Sequence, residues 1–302
     1  MMSAIRRVLS ESYRAFFLAA SLFAVFAGLV WCAWIGAPVL GVSLEFPQLS
    51  MLPWEWHAHE MIFGYGSAAL AGFLLTAVPN WTNGPAARQT YITTVVALWC
   101  AGRIGIWVSA EIPGWSVAVL DLAVLPVLAL NILVQLLRRP KPQNLMFLLF
   151  LVMYWVSNLM VHLQWLGIAE DSLDRGMRGG IVTLCALVSV LGGRVTPAFT
   201  RNAMKRANIP EASWPNSVAI LEKPSLILAI LLPLAILAQV PSQLISGGAI
   251  AFSVLQMARL TRWRTRWALG QPLLVALHLG VFMLALGMFL WGMAGFGFGQ
   301  EA

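Results

Sequence analysis

The stretch HEMIFGYGSAALAGFLLTAV at residues 59–78 decides the fold, because its apolar side chains run over the length of a membrane span. A helix that crosses the hydrocarbon core of a bilayer needs about 20 such residues. The whole chain shares this composition: of 302 residues, 60% are hydrophobic and only 10% are charged. Soluble domains carry about 25% charged residues. The composition therefore excludes a water-soluble globule and predicts an integral membrane protein.

Similar apolar segments follow one another along the chain. A backbone in lipid must satisfy its hydrogen bonds internally, and the sequence shows no long alternating strands that would close into a barrel. We therefore predict an all-α, polytopic transmembrane helix bundle of about nine spans, with residues 1–302 forming a single integral membrane domain. The spans are predicted near residues 15–38, 59–78, 90–110, 115–137, 144–168, 177–197, 217–239, 243–258 and 272–296.

Charges in the loops predict the orientation of the chain. Cytoplasmic loops are enriched in Lys and Arg, and here basic loops alternate with acidic ones, which predicts a cytoplasmic N-terminus. The net charge of +7 is spread over these loops, so it gives no support for nucleic acid as a partner. The inner side carries Arg6, Arg7, Arg14, Arg88, Arg138, Arg139, Lys141, Arg201, Lys205, Arg206, Arg259, Arg262, Arg264 and Arg266, and the outer loops carry Glu45, Glu55, Glu111, Glu170, Asp171 and Asp174, the last three together with Arg175 and Arg178.

Ionisable side chains inside the predicted spans are the candidate functional residues. Each costs at least about 2.5 to 3.5 kcal/mol at the centre of a helix in lipid, so it persists only when it is paired or used. Arg103 and Asp121 fall in consecutive spans, and we interpret them first as a buried ion pair. Asn158 precedes His162 by four residues and shares its helical face. A transport or proton path through Arg103, Asp121 and His162 is the alternative interpretation.

All the histidines of the chain lie at or inside a predicted span: His57, His59, His162 and His278. We predict that His57 and His59, with His162, form a metal or haem site on the outer side. Residues two apart point in nearly opposite directions on a helix, so His57 and His59 share an ion only if the chain is extended up to about His59. His278 is assigned to a second site or to structure. Imidazole suits copper, iron and zinc.

Two motifs indicate close packing. Gly64, Ala68 and Gly72 recur every fourth residue, which predicts the close approach of another helix or of a flat cofactor. The segment GGRVTPAFTRNAM at residues 192–204 carries Pro197, which is predicted to end the helix. Arg194 in this segment either reaches the headgroups or holds a carboxylate such as a haem propionate.

The segment WHAHEMIFGYGSAALAGFLLTAVPNWTN at residues 56–83, together with GGRVTPAFTRNAM at residues 192–204, resembles the NnrS family of bacterial membrane proteins. The resemblance extends through nearly all 302 residues. It implies a multi-pass protein of the bacterial inner membrane that contains haem and copper and is associated with denitrification and with the response to nitric oxide and nitrosative stress. Members of the family continue past the Gly-rich end of the last predicted span, so the resemblance also implies that C-terminal helices are lacking here.

On this interpretation the small-molecule partner is nitric oxide or a related molecule. The sequence shows no obvious nucleophile, catalytic carboxylate pair or nucleotide-binding loop, so it gives no support for a hydrolase or a transferase. Catalytic residues, the electron donor and the question of enzymatic turnover are left open. The alternatives are a transporter or permease with a path through Arg103, Asp121 and His162, and a scaffold that assembles other denitrification proteins.

Overall fold

The structure, a computed structural model, describes residues 4–138 and 142–299. Arg139 and Lys141, which belong to a predicted basic loop, lie outside these residues. The regular elements of the described chain are helical, so the predicted all-α class is confirmed. The α-helices are α1 (Ala4–Leu9), α2 (Ser12–Gly36), α3 (Pro53–His59), α4 (Gly66–Thr82), α5 (Gln89–Trp107), α6 (Gly114–Leu122), α7 (Val124–Arg138), α8 (Pro142–Trp165), α9 (Ser172–Arg206), α10 (Ala219–Leu237), α11 (Ser242–Arg262), α12 (Thr265–Ala268) and α13 (Pro272–Ala294).

The chain divides into two compact units, Met1–Gly180 and Ile181–Ala302. The first unit contains α1 to α8 and the start of α9, and the second contains the remainder of α9 and α10 to α13. Each unit has buried apolar clusters of its own. In the first unit one such cluster comprises Ala27, Leu49, Met51, Trp56, Ile106 and Val117, and in the second one comprises Leu260, Trp263 and Val281.

Within the described residues, 8 helical segments are long and apolar enough to cross a membrane. They coincide with all the predicted spans except the one near residues 90–110, where α5 is a helix of 19 residues that does not belong to this set. The protein is therefore a multi-pass helical membrane protein. The count of nine spans and the cytoplasmic position of the N-terminus stay predictions.

Pro197 does not end its helix, so that prediction is wrong. α9 continues through Pro197 for a total of 35 residues. A proline inside a helix removes one backbone hydrogen bond and crowds the preceding turn. A helix of this length keeps its other hydrogen bonds on both sides of the proline, and the basic residues Lys205 and Arg206 occupy its last turn, where they interact favourably with the helix dipole.

The small residues at the start of α4 allow it to lie close to α2. A Cβ atom placed on Gly72 would be 3.1 Å from atoms of Phe16 and Phe17, so the two helices are already in contact at this point. Ala68, one turn earlier, is fully buried. The prediction that the stripe accommodates another helix is confirmed, and α2 is that helix.

Candidate metal centre

Asp121 lies at the centre of a polar cluster in the first unit, with 4% of its surface exposed. Nε2 of His162 lies 2.8 Å from its Oδ2, and Nδ2 of Asn158 donates to the same oxygen at 2.8 Å. Oδ1 forms an ion pair with Nη2 of Arg103. Asn158 and His162 are one turn apart on α8, so both reach across to α6. The predicted ion pair and the predicted shared face are confirmed.

Arg103 on α5 joins two carboxylates. Its Nη1 donates to Oε1 of Glu60 while its Nη2 contacts Asp121, and all three side chains are buried. Gly102 brings the backbones together, because a Cβ at this position would lie 3.1 Å from the Cα atom of Asp121. The two carboxylates carry one more negative charge than the guanidinium neutralises. Burial favours removal of this excess charge, by a further cation or by a proton on one carboxyl.

His59 is fully buried between groups that accept hydrogen bonds. Its Nδ1 lies 3.0 Å from Oε1 of Glu60, and its Nε2 lies 2.9 Å from Oδ1 of Asn158 and 3.3 Å from Oδ2 of Asp121. The Asn158 amide is held in this orientation because its nitrogen already donates to Asp121. A neutral imidazole has only one N–H, so it cannot donate on both sides. One of the two sides therefore needs a proton from the Glu60 carboxyl, a second ring proton, or a metal ion at Nε2.

A turn of π-helix, Glu60–Tyr65, places Glu60 next to His59. Such turns widen a helix locally and are frequent at functional sites. Side chains from neighbouring helices bond to the carbonyl groups of this turn: the hydroxyl of Tyr154 donates to Ile62, and Nε1 of Trp99 donates to Gly64 at 2.9 Å. The irregular turn is therefore fixed from two sides, and the cluster is built on a rigid element.

Gly64 leaves the space that the guanidinium of Arg103 occupies. A Cβ at position 64 would lie 2.7 Å from Nη1 of Arg103 and 2.8 Å from Cε1 of Phe23. Arg103 cannot move aside without losing an ion pair. We expect Gly64→Ala to destabilise the protein by about 1–3 kcal/mol, as overpacking of a core does, measured by denaturation in mixed micelles.

The matched control is Gly28→Ala on α2, where nothing lies within 4 Å of an added Cβ. In a helix interior this change is expected to be neutral or to stabilise by about 0.5–1 kcal/mol, because alanine loses less conformational freedom on folding. Equal effects of the two changes would show that Arg103 is free to move.

Aromatic rings border the histidines of the cluster. The ring of Trp165 lies 5.0 Å from that of His59 and 5.4 Å from that of His162, and the ring of Phe63 lies 5.2 Å from that of His59. Trp165 is itself held by a hydrogen bond from its Nε1 to Oε2 of Glu55 at 3.2 Å. These rings replace water around the imidazoles and lower the local dielectric constant, which strengthens every charge interaction in the cluster.

The arrangement offers donor atoms to a metal ion. His59, Asp121 and His162 each contribute one ligand atom, and these atoms lie within 4.8 Å of one another. Metal–ligand distances of about 2.0–2.2 Å place the donors of a tetrahedral site about 3.3–3.6 Å apart. His59 and Asp121 are 3.3 Å apart, as such a site needs, whereas His162 and Asp121 are 2.8 Å apart and would have to separate slightly to hold an ion. Glu60 on the opposite nitrogen of His59 provides the carboxylate that commonly orients a metal-bound histidine.

The family model described as NnrS protein matches residues 7–302. The chain belongs to the NnrS family. The resemblance drawn from residues 56–83 and 192–204 is thereby confirmed, and the match includes every residue of the polar cluster. Comparisons with curated proteins and with solved structures give no match.

In this member of the NnrS family His57 lies apart from the other predicted ligands. The lead-in to His59 is helical, not extended, because α3 begins with Pro53 and continues to His59. The expectation that His57 and His59 face one ion required an extended chain at this point, and the chain is helical there. The His57 ring instead stacks on Trp31, with 4.5 Å between centroids and 10° between planes. Its Nδ1 is buried without a hydrogen-bond partner.

His278 and Arg194 lie in the second unit of this NnrS chain. Nδ1 of His278 is 2.9 Å from the hydroxyl of Thr265, and its Nε2 is 3.0 Å from the hydroxyl of Thr200. His278 also borders a cavity of about 640 Å³. Both of its ring nitrogens are thus engaged, which matches the structural role that the sequence analysis left open. Arg194 is half-buried on α9.

Glu60 is a residue of this cluster that the sequence places among the ionisable groups at the outer end of a span, but that was not predicted as a ligand. It contacts both His59 and Arg103, so it belongs to the cluster as much as Asp121 does. The available signal was a carboxylate directly after a histidine at the edge of a span. The π-helical turn that points it inward has no recognisable sequence pattern.

Proposed function

We propose that this membrane protein binds copper at His59, Asp121 and His162 and acts in the bacterial inner membrane in the response to nitric oxide, in connection with denitrification. The observation that carries the proposal is the convergence of His59, Asp121 and His162, which each offer one ligand atom, all within 4.8 Å of one another. Nε2 of His59 also faces two oxygens in a buried cluster with two carboxylates and one guanidinium. Membership of the NnrS family supports the same function.

The donor set fits copper. Two imidazole nitrogens and a carboxylate oxygen suit divalent copper, and the same set also suits ferrous iron; the family resemblance favours copper. When bound, copper supplies one-electron exchange with a small neutral ligand such as nitric oxide. The surrounding residues orient the ligands. Oε1 of Glu60 accepts a hydrogen bond from Nδ1–H of His59, which leaves the Nε2 lone pair free to bind the metal. Arg103 fixes the positions of both carboxylates.

For haem, the second cofactor implied by the family, the two histidines outside the cluster differ. Hydroxyl groups contact both ring nitrogens of His278, so we assign His278 to structure. His57 does fit as a donor, since its buried Nδ1 lacks a partner. If haem is bound, we propose His57 as its ligand.

Copper content tests the metal proposal. We expect about one copper ion per chain in the purified protein, and a loss of more than tenfold in His59→Gln and in His162→Gln, because each change removes an imidazole donor. His278→Gln is the matched control and should retain the copper. Elemental analysis gives the content, and the paramagnetic resonance spectrum of the oxidised ion should show coupling to imidazole nitrogen. Equal copper in all these variants would contradict the proposal.

An optical spectrum of the same preparations tests haem. His57→Ala should lose any porphyrin absorbance without loss of copper, since His57 stacks on Trp31 outside the cluster. A preparation with neither porphyrin absorbance nor copper would refute both cofactor proposals together.

A transporter is the second candidate, and one observation favours it. Glu60, Arg103, Asp121 and His162 form an unbroken chain of bonded groups, as a proton path requires. Proteoliposomes separate the two functions. Solute or proton flux that is lost in Asp121→Asn, in protein without copper, would support transport, whereas bound copper without flux would support the metal proposal.

A further inference from the structure

The segment GGRVTPAFTRNAM, to which the metal proposal assigns no role, packs in the second unit against a buried arginine. A Cβ atom on Gly193 would overlap the guanidinium of Arg259, so α9 accommodates this arginine only because position 193 lacks a side chain. The sequence analysis placed Arg259 in an inner loop. That placement is wrong, because α11 extends to Arg262 and Arg259 has only 4% of its surface exposed.

The Nη atoms of Arg259 have partners. Nη1 donates to Oε1 of Gln256 at 2.6 Å and to Oγ of Ser189 at 3.2 Å. Nη2 pairs with Oε2 of Glu222 at 2.9 Å. The guanidinium also lies over the ring of Trp263, with Cζ 5.0 Å from the centroid, in a cation–π contact.

Three N–H groups of the same cluster have no acceptor among the described residues: Nε of Arg259, Nε2 of Gln256 and Nε1 of Trp263. Gln256 and Trp263 are fully buried. The three residues are spaced by three and four positions along the chain, so they share one face at the end of α11. The Gln256 amide cannot turn round, because its nitrogen would then face the donor Nη1 of Arg259.

The chemistry of these groups defines the ligand. Each buried donor left unsatisfied costs about 1–3 kcal/mol, and the free groups are donors, so the ligand must accept. A water molecule accepts at two positions and brings two donors that themselves need acceptors. A planar oxyanion only accepts, and two of its oxygens match the Nε and Nη2 edge of a guanidinium.

Glu222 occupies part of this edge and competes with such a ligand. A single oxygen of its carboxylate, Oε2, pairs with Nη2, and its side chain is 31% exposed whereas that of Arg259 is 4% exposed. Glu222 can therefore turn outward while Arg259 stays buried. Its negative charge already balances Arg259, so a bound anion has to displace it.

We propose that Arg259, Gln256 and Trp263 form a binding site for a small carboxylate or similar planar oxyanion, in which Glu222 is a displaceable internal competitor. The site lies in the second unit and shares no residue with the copper proposal. Anion binding at this site can therefore be tested independently of metal binding.

Equilibrium binding of radiolabelled formate to the purified protein, in a chloride buffer of constant ionic strength, tests the site. We expect saturable binding to the native chain. Glu222→Gln should lower the dissociation constant at least tenfold, because it removes the competing charge. Trp263→Phe keeps the aromatic face but removes a donor, and it should raise the dissociation constant about tenfold.

Trp267→Phe is the matched control, since it makes the same change on α12 outside the cluster, and it should leave formate binding unchanged. Thermal denaturation of each variant in formate and in chloride checks folding: formate should raise the midpoint of the native chain and of Glu222→Gln. Absence of saturable binding in both proteins, or identical midpoints in the two salts, would overturn the proposal and leave a buried water as the occupant.

Discussion

Asp121→Asn is expected to lower both the copper content and the stability of the protein. The substitution keeps the volume of the side chain but removes the charge that faces Arg103 and that His162 and His59 approach. Arg103 keeps Glu60 as a partner, so the cost is that of lost hydrogen bonds to a charged group. We expect copper per chain to fall more than tenfold, measured by elemental analysis, and the free energy of unfolding in mixed micelles to fall by about 1.5–3 kcal/mol.

Asp174→Asn is the control for this prediction. Asp174 also pairs with an arginine, Arg178, at 2.8 Å, but both side chains are exposed, by 71% and 56%. Exposed pairs contribute about 0–1 kcal/mol, so this change should be nearly silent. Similar small effects of the two substitutions would mean that Asp121 is not a charged member of a buried network.

Arg103→Met is expected to destabilise the protein more strongly than Asp121→Asn does. It leaves Glu60 and Asp121 buried with no guanidinium between them. The methionine side chain fills much of the same space, so the loss measures charge rather than packing. We expect a decrease of about 3–5 kcal/mol in the free energy of unfolding.

A double substitution tests whether that loss arises from charge imbalance. In Arg103→Met with Glu60→Gln, one carboxylate disappears with the cation, and the net charge of the remaining groups returns to its original value. The double variant should be more stable than the sum of the single effects by about 0.5–3 kcal/mol, the range of coupling seen between groups in contact. Additive effects would contradict the charge balance described here.

The sequence predicted most residues of the first-unit cluster, but it predicted only some of the contacts between them. An ionisable side chain inside an apolar span is costly, which singled out Arg103, Asp121 and His162. The four-residue spacing of Asn158 and His162 gave their common face. Whether His57 and His59 can face one ion depended on whether the chain is extended up to His59. Residues 53–59 form a helix of seven residues instead.

The second-unit cluster was not recoverable in the same way. Arg259 lies near the end of a span among other arginines, where sequence reasoning assigns it to a loop. Its burial depends on α11 continuing to Arg262 and on Gly193 of α9 leaving space for the guanidinium. That contact joins residues 66 positions apart in the chain, and no local pattern encodes it.

The sequence by itself determined that this chain is a helical, multi-pass membrane protein, because hydrophobic length and composition are local properties of each span. The segments at residues 56–83 and 192–204 gave the resemblance to the NnrS family. The tertiary structure alone decided which polar groups meet. Glu60 turns inward through a π-helical turn, His59 rather than His57 joins Asp121, and Arg259 enters a cluster with Glu222. The physical reason is that a buried charge is stabilised by partners within a few ångströms, and the packing of distant helices sets those distances.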